Sequence, residues 1–153
     1  DGWTAKNENK TASWHFYTGT KASGAGSLRY GLAGKKTWSA GFPNKGSVTS
    51  KAIAVPKGGK LSFFIHFDGE PGAGVHQFGL KVVEAGKEID LWTKNGDLKG
   101  STAGAWKPAT ADLSKWAGKT IQLRWWFDVA VQFPKEDGHG LAIDEMILSG
   151  DCQ

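Results

Sequence analysis

Short apolar runs with the alternation typical of β-strands recur along the whole chain. They lie at 14–17, 27–31, 47–55, 61–67, 77–83, 88–93, 121–127 and 140–148. Segments rich in Gly, Ser, Asn, Asp and Pro separate them, and these residues favour turns. About nine short strands are therefore expected, and no helix as long as about ten residues. This pattern predicts an all-β fold, specifically an antiparallel β-sandwich of jelly-roll type.

Two of the connections carry specific local signals. Residues 84–87 form a turn between 77–83 and 88–93, so these two runs are predicted to pair as a hairpin. Asp112 or Ser114 is expected to cap a single helical turn that ends before Gly118.

The composition fits one globular domain with an aromatic core. The chain has 153 residues, of which 39% are hydrophobic, and it contains eight Trp and eight Phe but one Met. A chain of this length makes one domain. Aromatic residues favour strands, and they also favour surfaces that contact carbohydrates or proteins.

The charge pattern argues against nucleic acid as a partner. The net charge is +4, but the lysines are spread through the loops and form no basic block. Nucleic-acid binding would need a concentrated basic face with a recognisable motif. No apolar run approaches the length of a membrane span, so membrane insertion is not expected. The single cysteine, Cys152, is either free or paired outside this chain, which suggests a piece of a longer protein.

Two acids interrupt the apolar run at 140–148. Asp144 and Glu145 stand where a strand would otherwise be apolar, and buried carboxylates need a partner. Three explanations are open: a solvated face, an ion pair with Arg124 or a lysine, or a metal ion held by Asp144 and oxygens from neighbouring loops.

Residues 140–152 also carry a family resemblance. Their sequence, GLAIDEMILSGDC, resembles the closing strand of MAM domains and of related jelly-roll modules in bacterial secreted proteins, including those attached to immune-inhibitor-A-type metalloproteases. Segments 27–31, 47–67 and 105–120 resemble further parts of the same modules, in the same order. The resemblance spans about 27–152 and implies an antiparallel β-sandwich that is usually non-catalytic and often holds calcium.

The resemblance also implies a calcium-binding set. Asp144 matches the first acid of the closing motif, and Glu70 occupies the place of the acid that follows the strand at 61–67. Family members often continue with a Tyr-Asp pair, whereas 74–78 reads GVHQF. Beyond the resemblance, the carboxylates of Asp68, Asp128 and Asp137 are supplementary candidates for metal ligands.

A hydrolase is a weaker hypothesis. The run Glu88-Ile89-Asp90 is similar to the acidic strand of jelly-roll glycosidases, in which two carboxyl groups flank the scissile bond. The third acid would fall at Thr93 or Lys94, so it is missing. The sequence also has no His-Glu-x-x-His zinc motif and no Gly-x-Ser-x-Gly elbow.

Tryptophans supply the remaining functional signal. Four of them lie in or beside loops and are expected to bind a ligand by stacking: Trp38, Trp92, Trp106 and Trp116. Trp125 and Trp126 are adjacent in one strand and point to opposite faces, so at least one lies outside the core unless both faces are covered.

The sequence therefore predicts one MAM-like jelly-roll domain over 1–153, cut from a larger secreted or cell-surface protein. Its expected function is non-catalytic binding or adhesion to a cell-surface glycan or protein, with structural calcium. The first alternative is a carbohydrate-binding module with a Trp platform. The second is a small jelly-roll polysaccharide hydrolase or lyase.

Overall fold

The predicted β-sandwich is confirmed. The computed structural model describes residues 2–8, 11–35, 37, 43–129 and 139–151. Strands make up most of these residues, and they form two antiparallel sheets that pack face to face. The strands are β1 (Trp3–Asn7), β2 (Ala12–Tyr17), β3 (Ser27–Leu32), β4 (Asn44–Ser50), β5 (Ile53–Ala54), β6 (Lys60–Phe67), β7 (Gln77–Glu84), β8 (Lys87–Thr93), β9 (Lys107–Asp112), β10 (Thr120–Val129) and β11 (Leu141–Ser149).

Strands that are distant in sequence become neighbours in each sheet. The first sheet has the order β1-β4-β10-β7-β8, and β5 pairs with the start of β10. The second sheet has the order β2-β3-β11-β6-β9. Each sheet therefore has one face against the core and one outer face.

Strand β10 shows how the sequence sets these faces. Its burial alternates without interruption along nearly its whole length, as expected when successive side chains point to opposite sides. Trp125 and Phe127 point inward and are 0% and 1% exposed. Arg124, Trp126 and Asp128 point outward and are half-buried.

Aromatic rings from both sheets fill the core. Trp125 contacts Phe63 and Trp92 edge to face, at ring-centroid distances of 5.1 and 6.1 Å. Phe127 stacks on Tyr30 at 4.9 Å. Offset and edge contacts of this kind add to the stabilisation from buried area, so most of the aromatic content supports the fold.

Two short helical turns complete the described structure. Residues Lys94–Leu98 form a single π-helical turn and Ser114–Trp116 a 3₁₀ turn. The second is the predicted turn, and the Asp112 carboxylate accepts the Ser114 N–H at 2.8 Å. No helix in the described part of the chain is long and apolar enough to cross a membrane.

Candidate functional site

Asp144 finds its partners in the backbone. Its carboxylate accepts hydrogen bonds from the N–H groups of Ala22 and Ser23, at 2.8 and 3.2 Å, and from the Glu145 N–H at 2.8 Å. The Ala22 and Ser23 donors lie in the loop between β2 and β3. Strand β11 bulges between Asp144 and Ile147, and Glu145 has a positive φ of 49°. The bulge turns the carboxylate towards this loop.

The other predicted metal ligands have separate partners. The Asp68 carboxylate accepts the N–H groups of His139 and Gly140, at 2.5 and 2.6 Å. Glu70 is exposed, and its carboxylate accepts the Gly72 N–H at 3.2 Å. Asp137 lies outside the described residues. Within 2–8, 11–35, 37, 43–129 and 139–151, no three His, Cys, Asp or Glu side chains form a group that could hold a metal ion.

The loop tryptophans are not the exposed platform that was expected. Trp92 and Trp116 are each 4% exposed and belong to the core, so the prediction that they are exposed is wrong. Both side chains are part of the hydrophobic core cluster, Trp92 from strand β8 and Trp116 from the 3₁₀ turn. Trp106 is half-buried against the His66 ring of the second sheet, at a centroid distance of 5.4 Å. Trp38 lies outside the described residues.

Among the tryptophans in the described part of the chain, Trp126 is the one on an open sheet surface. In the first sheet it pairs with Ser47 of β4 on one side and Gly79 of β7 on the other. Residues directly opposite one another in antiparallel strands share a face. The outer face of this sheet, here called the Trp126 face, comprises Lys45, Ser47, Thr49, Gln77, Gly79, Lys81, Gln122, Arg124, Trp126 and Asp128.

Gly79 leaves the sheet surface beside Trp126 without a side chain. A Cβ at this position would lie 2.5 Å from the Trp92 carbonyl oxygen and 3.1 Å from Trp126 Nε1. The first distance is shorter than any van der Waals contact, and the atom involved is backbone. A side chain is therefore excluded at Gly79, so the edge of the Trp126 ring lies against bare backbone.

Ion pairs fix the polar side chains on one flank of Trp126. Arg124 donates to Thr49 Oγ1 at 2.8 Å and to the Glu88 carboxylate. Lys81 donates to the same carboxylate at 3.0 Å, and its Nζ lies 5.7 Å from the Trp126 ring centroid. One carboxylate thus orients two cations around the ring, which restricts their conformations before any ligand arrives.

A groove runs along the other flank of Trp126, towards β1. It encloses about 430 Å³ and has an open, mixed apolar and polar lining. Three cationic and two anionic side chains line it, so the groove has little net charge. The lining residues are Lys6, Asn7, Glu8, Lys45, Gly46, Ser47, Arg124, Trp126, Phe127 and Asp128.

Glu88 and Asp90 belong to this ion-pair network. The hydrogen bond from Lys81 is the largest influence that lowers the pKa of the Glu88 carboxyl, and the Arg124 charge acts in the same direction. A glycosidase acid needs a raised pKa so that it is protonated at neutral pH. Asp90 lies 4.0 Å from Lys81. Both carboxylates therefore pair with the same lysine, and this is not the arrangement of two acids on either side of a scissile bond.

The Trp126 face combines an apolar ring with fixed donors and acceptors. A sugar ring has an apolar C–H face, which can stack on an indole, and hydroxyl groups that need hydrogen-bond partners. Trp126 is not among the four tryptophans that were predicted to bind a ligand. The available signal was its place among Gln122, Arg124 and Asp128, the polar positions of an otherwise apolar strand.

The comparisons with known proteins agree on the fold. No protein-family model and no curated protein sequence matches the chain. A solved structure of TmCBM61 in complex with β-1,4-galactotriose has a TM-score of 0.60 at 16% identity, over 97% of this chain and 88% of that one. The K1 cleaved adhesin domain of Lys-gingipain from Porphyromonas gingivalis W83 has a TM-score of 0.58 at 17% identity, over 98% and 91%. A carbohydrate-binding module of the β-sandwich superfamily has a TM-score of 0.61 at 13% identity, over 97% of this chain and 57% of that one.

These structures are similar to this chain in fold. Their low sequence identities carry no binding residue over to it. The resemblance to MAM-like modules remains a prediction from sequence.

Proposed function

We propose that this protein is a non-catalytic carbohydrate-binding module that holds a neutral polysaccharide against the Trp126 face. The observation that carries the proposal is the position of Trp126, half-buried on an open sheet face and surrounded by polar side chains with fixed orientations. The solved structures of carbohydrate-binding modules with the same fold support this class of ligand. The alternative from sequence analysis is therefore preferred to general adhesion.

The charge balance favours a neutral glycan. Arg124 and Lys81 are paired with Glu88, and Lys45 of the groove lies directly opposite Asp128 across β4 and β10. An anionic polysaccharide would need cations free of such partners. Hydroxyl groups of a neutral sugar, in contrast, bond well to both cationic donors and carboxylate acceptors.

Binding to a polysaccharide panel tests the proposal. The panel contains soluble galactan, xylan, mixed-linkage β-glucan and mannan, and affinity is measured by titration calorimetry or affinity electrophoresis. We expect at least one of them to bind, and Trp126→Ala to weaken that binding by roughly tenfold or more, because a central Trp commonly dominates an interface.

Trp106→Ala is the matched control. Trp106 is also half-buried but lies against His66 of the second sheet, so its removal should leave glycan affinity unchanged. Thermal unfolding of both variants checks that they fold. Loss of binding in Trp106→Ala with full binding in Trp126→Ala would contradict the proposal, as would the absence of binding to the whole panel.

Protein adhesion is the second candidate, and the adhesin domain with the same fold supports it. Phe16 of β2 is 64% exposed and belongs to the second sheet, whereas the Trp126 face belongs to the first. An adhesive surface there would be disrupted by Phe16→Ser without any change in glycan affinity. Either function is consistent with a module of a secreted or cell-surface protein, which is the localisation we propose.

A further inference from the structure

The loop between β6 and β7 is the part of the molecule where calcium was expected beside Glu70. In this loop three backbone carbonyl oxygens converge on one point. They belong to Glu70, Gly72 and Val75, and they lie 2.9, 2.9 and 2.7 Å from the Nζ atom of Lys94. An ammonium group has three N–H donors, so each carbonyl oxygen receives one.

We propose that the Lys94 ammonium is the built-in cation of this loop and stands in place of a metal ion. The position has the chemistry of a cation site: convergent carbonyl oxygens are ligands that calcium also uses. Here a side chain of the same protein supplies the positive charge. The loop is thereby closed without a cofactor.

The surroundings of Lys94 support a structural cation. The residue is 0% exposed, and its Nζ lies 5.3 Å from the centroid of the Phe67 ring, a favourable distance for a cation–π contact. An unpaired buried ammonium would be strongly unfavourable. The three carbonyl groups and the ring face compensate for the water that Lys94 loses.

The acids near the loop do not provide a competing metal site. The Asp68 carboxylate is bonded to the backbone of His139 and Gly140, and the Glu70 carboxylate to Gly72. Calcium needs six to eight oxygen ligands. A divalent ion beside Lys94 would also meet a positive charge at close range in a poorly solvated position, where repulsion is strong.

Lys94 also fixes the edge of the Trp126 face. It opens the π-helical turn, and the next residue, Asn95, donates to Gln77 Oε1 at 2.9 Å and to the Ala73 carbonyl at 3.1 Å. Gln77 belongs to the Trp126 face and pairs with Asp128. The Lys94 contacts therefore hold the loop and the turn together next to the proposed glycan surface.

Thermal unfolding separates an internal cation from a metal. The wild-type protein is measured after treatment with a chelator and again with millimolar calcium chloride, with sodium chloride at matched ionic strength as the reference. We expect the two Tm values to agree. A bound calcium ion would raise Tm by roughly 5–10 °C under these conditions, and such a rise would overturn the proposal.

The variant Lys94→Met removes the charge but keeps a long apolar stem. It leaves the three carbonyl oxygens without their donor and buries an apolar group among them, so we expect Tm to fall by roughly 5–10 °C or the protein to fail to fold. Lys99→Met, at an exposed position of the same segment, is the matched control and should leave Tm nearly unchanged. Equal Tm values for the two variants would overturn the proposal. If Lys94→Met does not fold, the wild-type calcium comparison still decides the question, and neither measurement depends on glycan binding.

Discussion

Burial and nearby negative charges both raise the pKa of Tyr30. It is 0% exposed between the sheets, stacks on Phe127, and its hydroxyl donates to the Asn44 side chain. Burial raises the pKa of the Tyr30 phenol far above its ordinary value, and the Glu8 and Asp128 carboxylates act in the same direction. The folded protein therefore keeps this proton where the unfolded chain loses it.

The raised pKa predicts unfolding at alkaline pH. A group whose pKa is higher in the folded state than in the unfolded chain stabilises the folded state, and this stabilisation is complete below the unfolded pKa. For Tyr the unfolded pKa is about 10. The stabilisation is lost as the pH rises above that value towards the folded pKa. The sequence contains two tyrosines, so in the variant Tyr17→Phe only Tyr30 remains. We expect phenolate absorbance and the loss of near-ultraviolet circular dichroism to develop together. Phenolate absorbance in a protein that keeps its folded spectrum would contradict the prediction.

The turn of the β7–β8 hairpin holds a non-glycine residue in an unfavourable backbone conformation, which a substitution can relieve. Its two central turn residues, Ala85 and Gly86, have φ values of 48° and 80°. Positive φ at both positions is the requirement of a type I′ turn, for which Asn-Gly is the preferred pair. Ala at the first position pays the penalty of an L-residue in the left-handed region.

Ala85→Asn is therefore expected to raise the free energy of unfolding by about 0.5–1 kcal/mol. Gly86→Ala is the opposing control and should lower it by about 1 kcal/mol, since it places a Cβ at positive φ. Urea unfolding measures both, and the slope with denaturant should stay the same. A destabilised Ala85→Asn would show that the turn does not depend on backbone conformation in this way.

Strands with a clear apolar pattern were predictable from the sequence, including the edge strands β2 and β8, whereas the two most exposed edge strands were not. Strands β6, β7, β10 and β11 and the hairpin turn were expected and are present. Strands β1 and β9 were missed because both lie at sheet edges and are largely exposed. An edge strand buries few side chains, so it carries little hydrophobic pattern.

The candidate site was less predictable because it depends on pairing between distant strands. The sequence indicated that Trp125 and Trp126 face opposite ways, but not which outer face is open. The outer face of the first sheet is open at Trp126 because its two cross-strand neighbours, Ser47 and Gly79, are small. Likewise, two of the three partners of Asp144, the N–H groups of Ala22 and Ser23, are more than a hundred positions away in the sequence, and no local spacing indicates them.

For the whole molecule, the distribution of charge bears on the nature of the ligand. The net charge is +4, which would attract polyanions at low ionic strength if the cations were concentrated. On the Trp126 face, however, Lys81 and Arg124 share the Glu88 carboxylate. Removing Glu88 would take away the carboxylate that these two cations share beside the Trp126 ring, while the fold would keep its core.

This arrangement predicts how salt affects binding. For the glycan that binds in the panel, we expect the association constant to change by less than about twofold between low and physiological ionic strength, because no counterions are released by a neutral ligand. Glu88→Gln removes the carboxylate that Lys81 and Arg124 share and leaves Lys81 only its 4.0 Å contact with Asp90. It should therefore create salt-sensitive binding to an anionic polysaccharide such as pectate or heparin. The matched control is Glu84→Gln, whose parent residue pairs with Lys119 at 2.7 Å, at the end of the same hairpin. A strong salt dependence of wild-type binding would instead show that the ligand is anionic and that the ion pairs open to receive it.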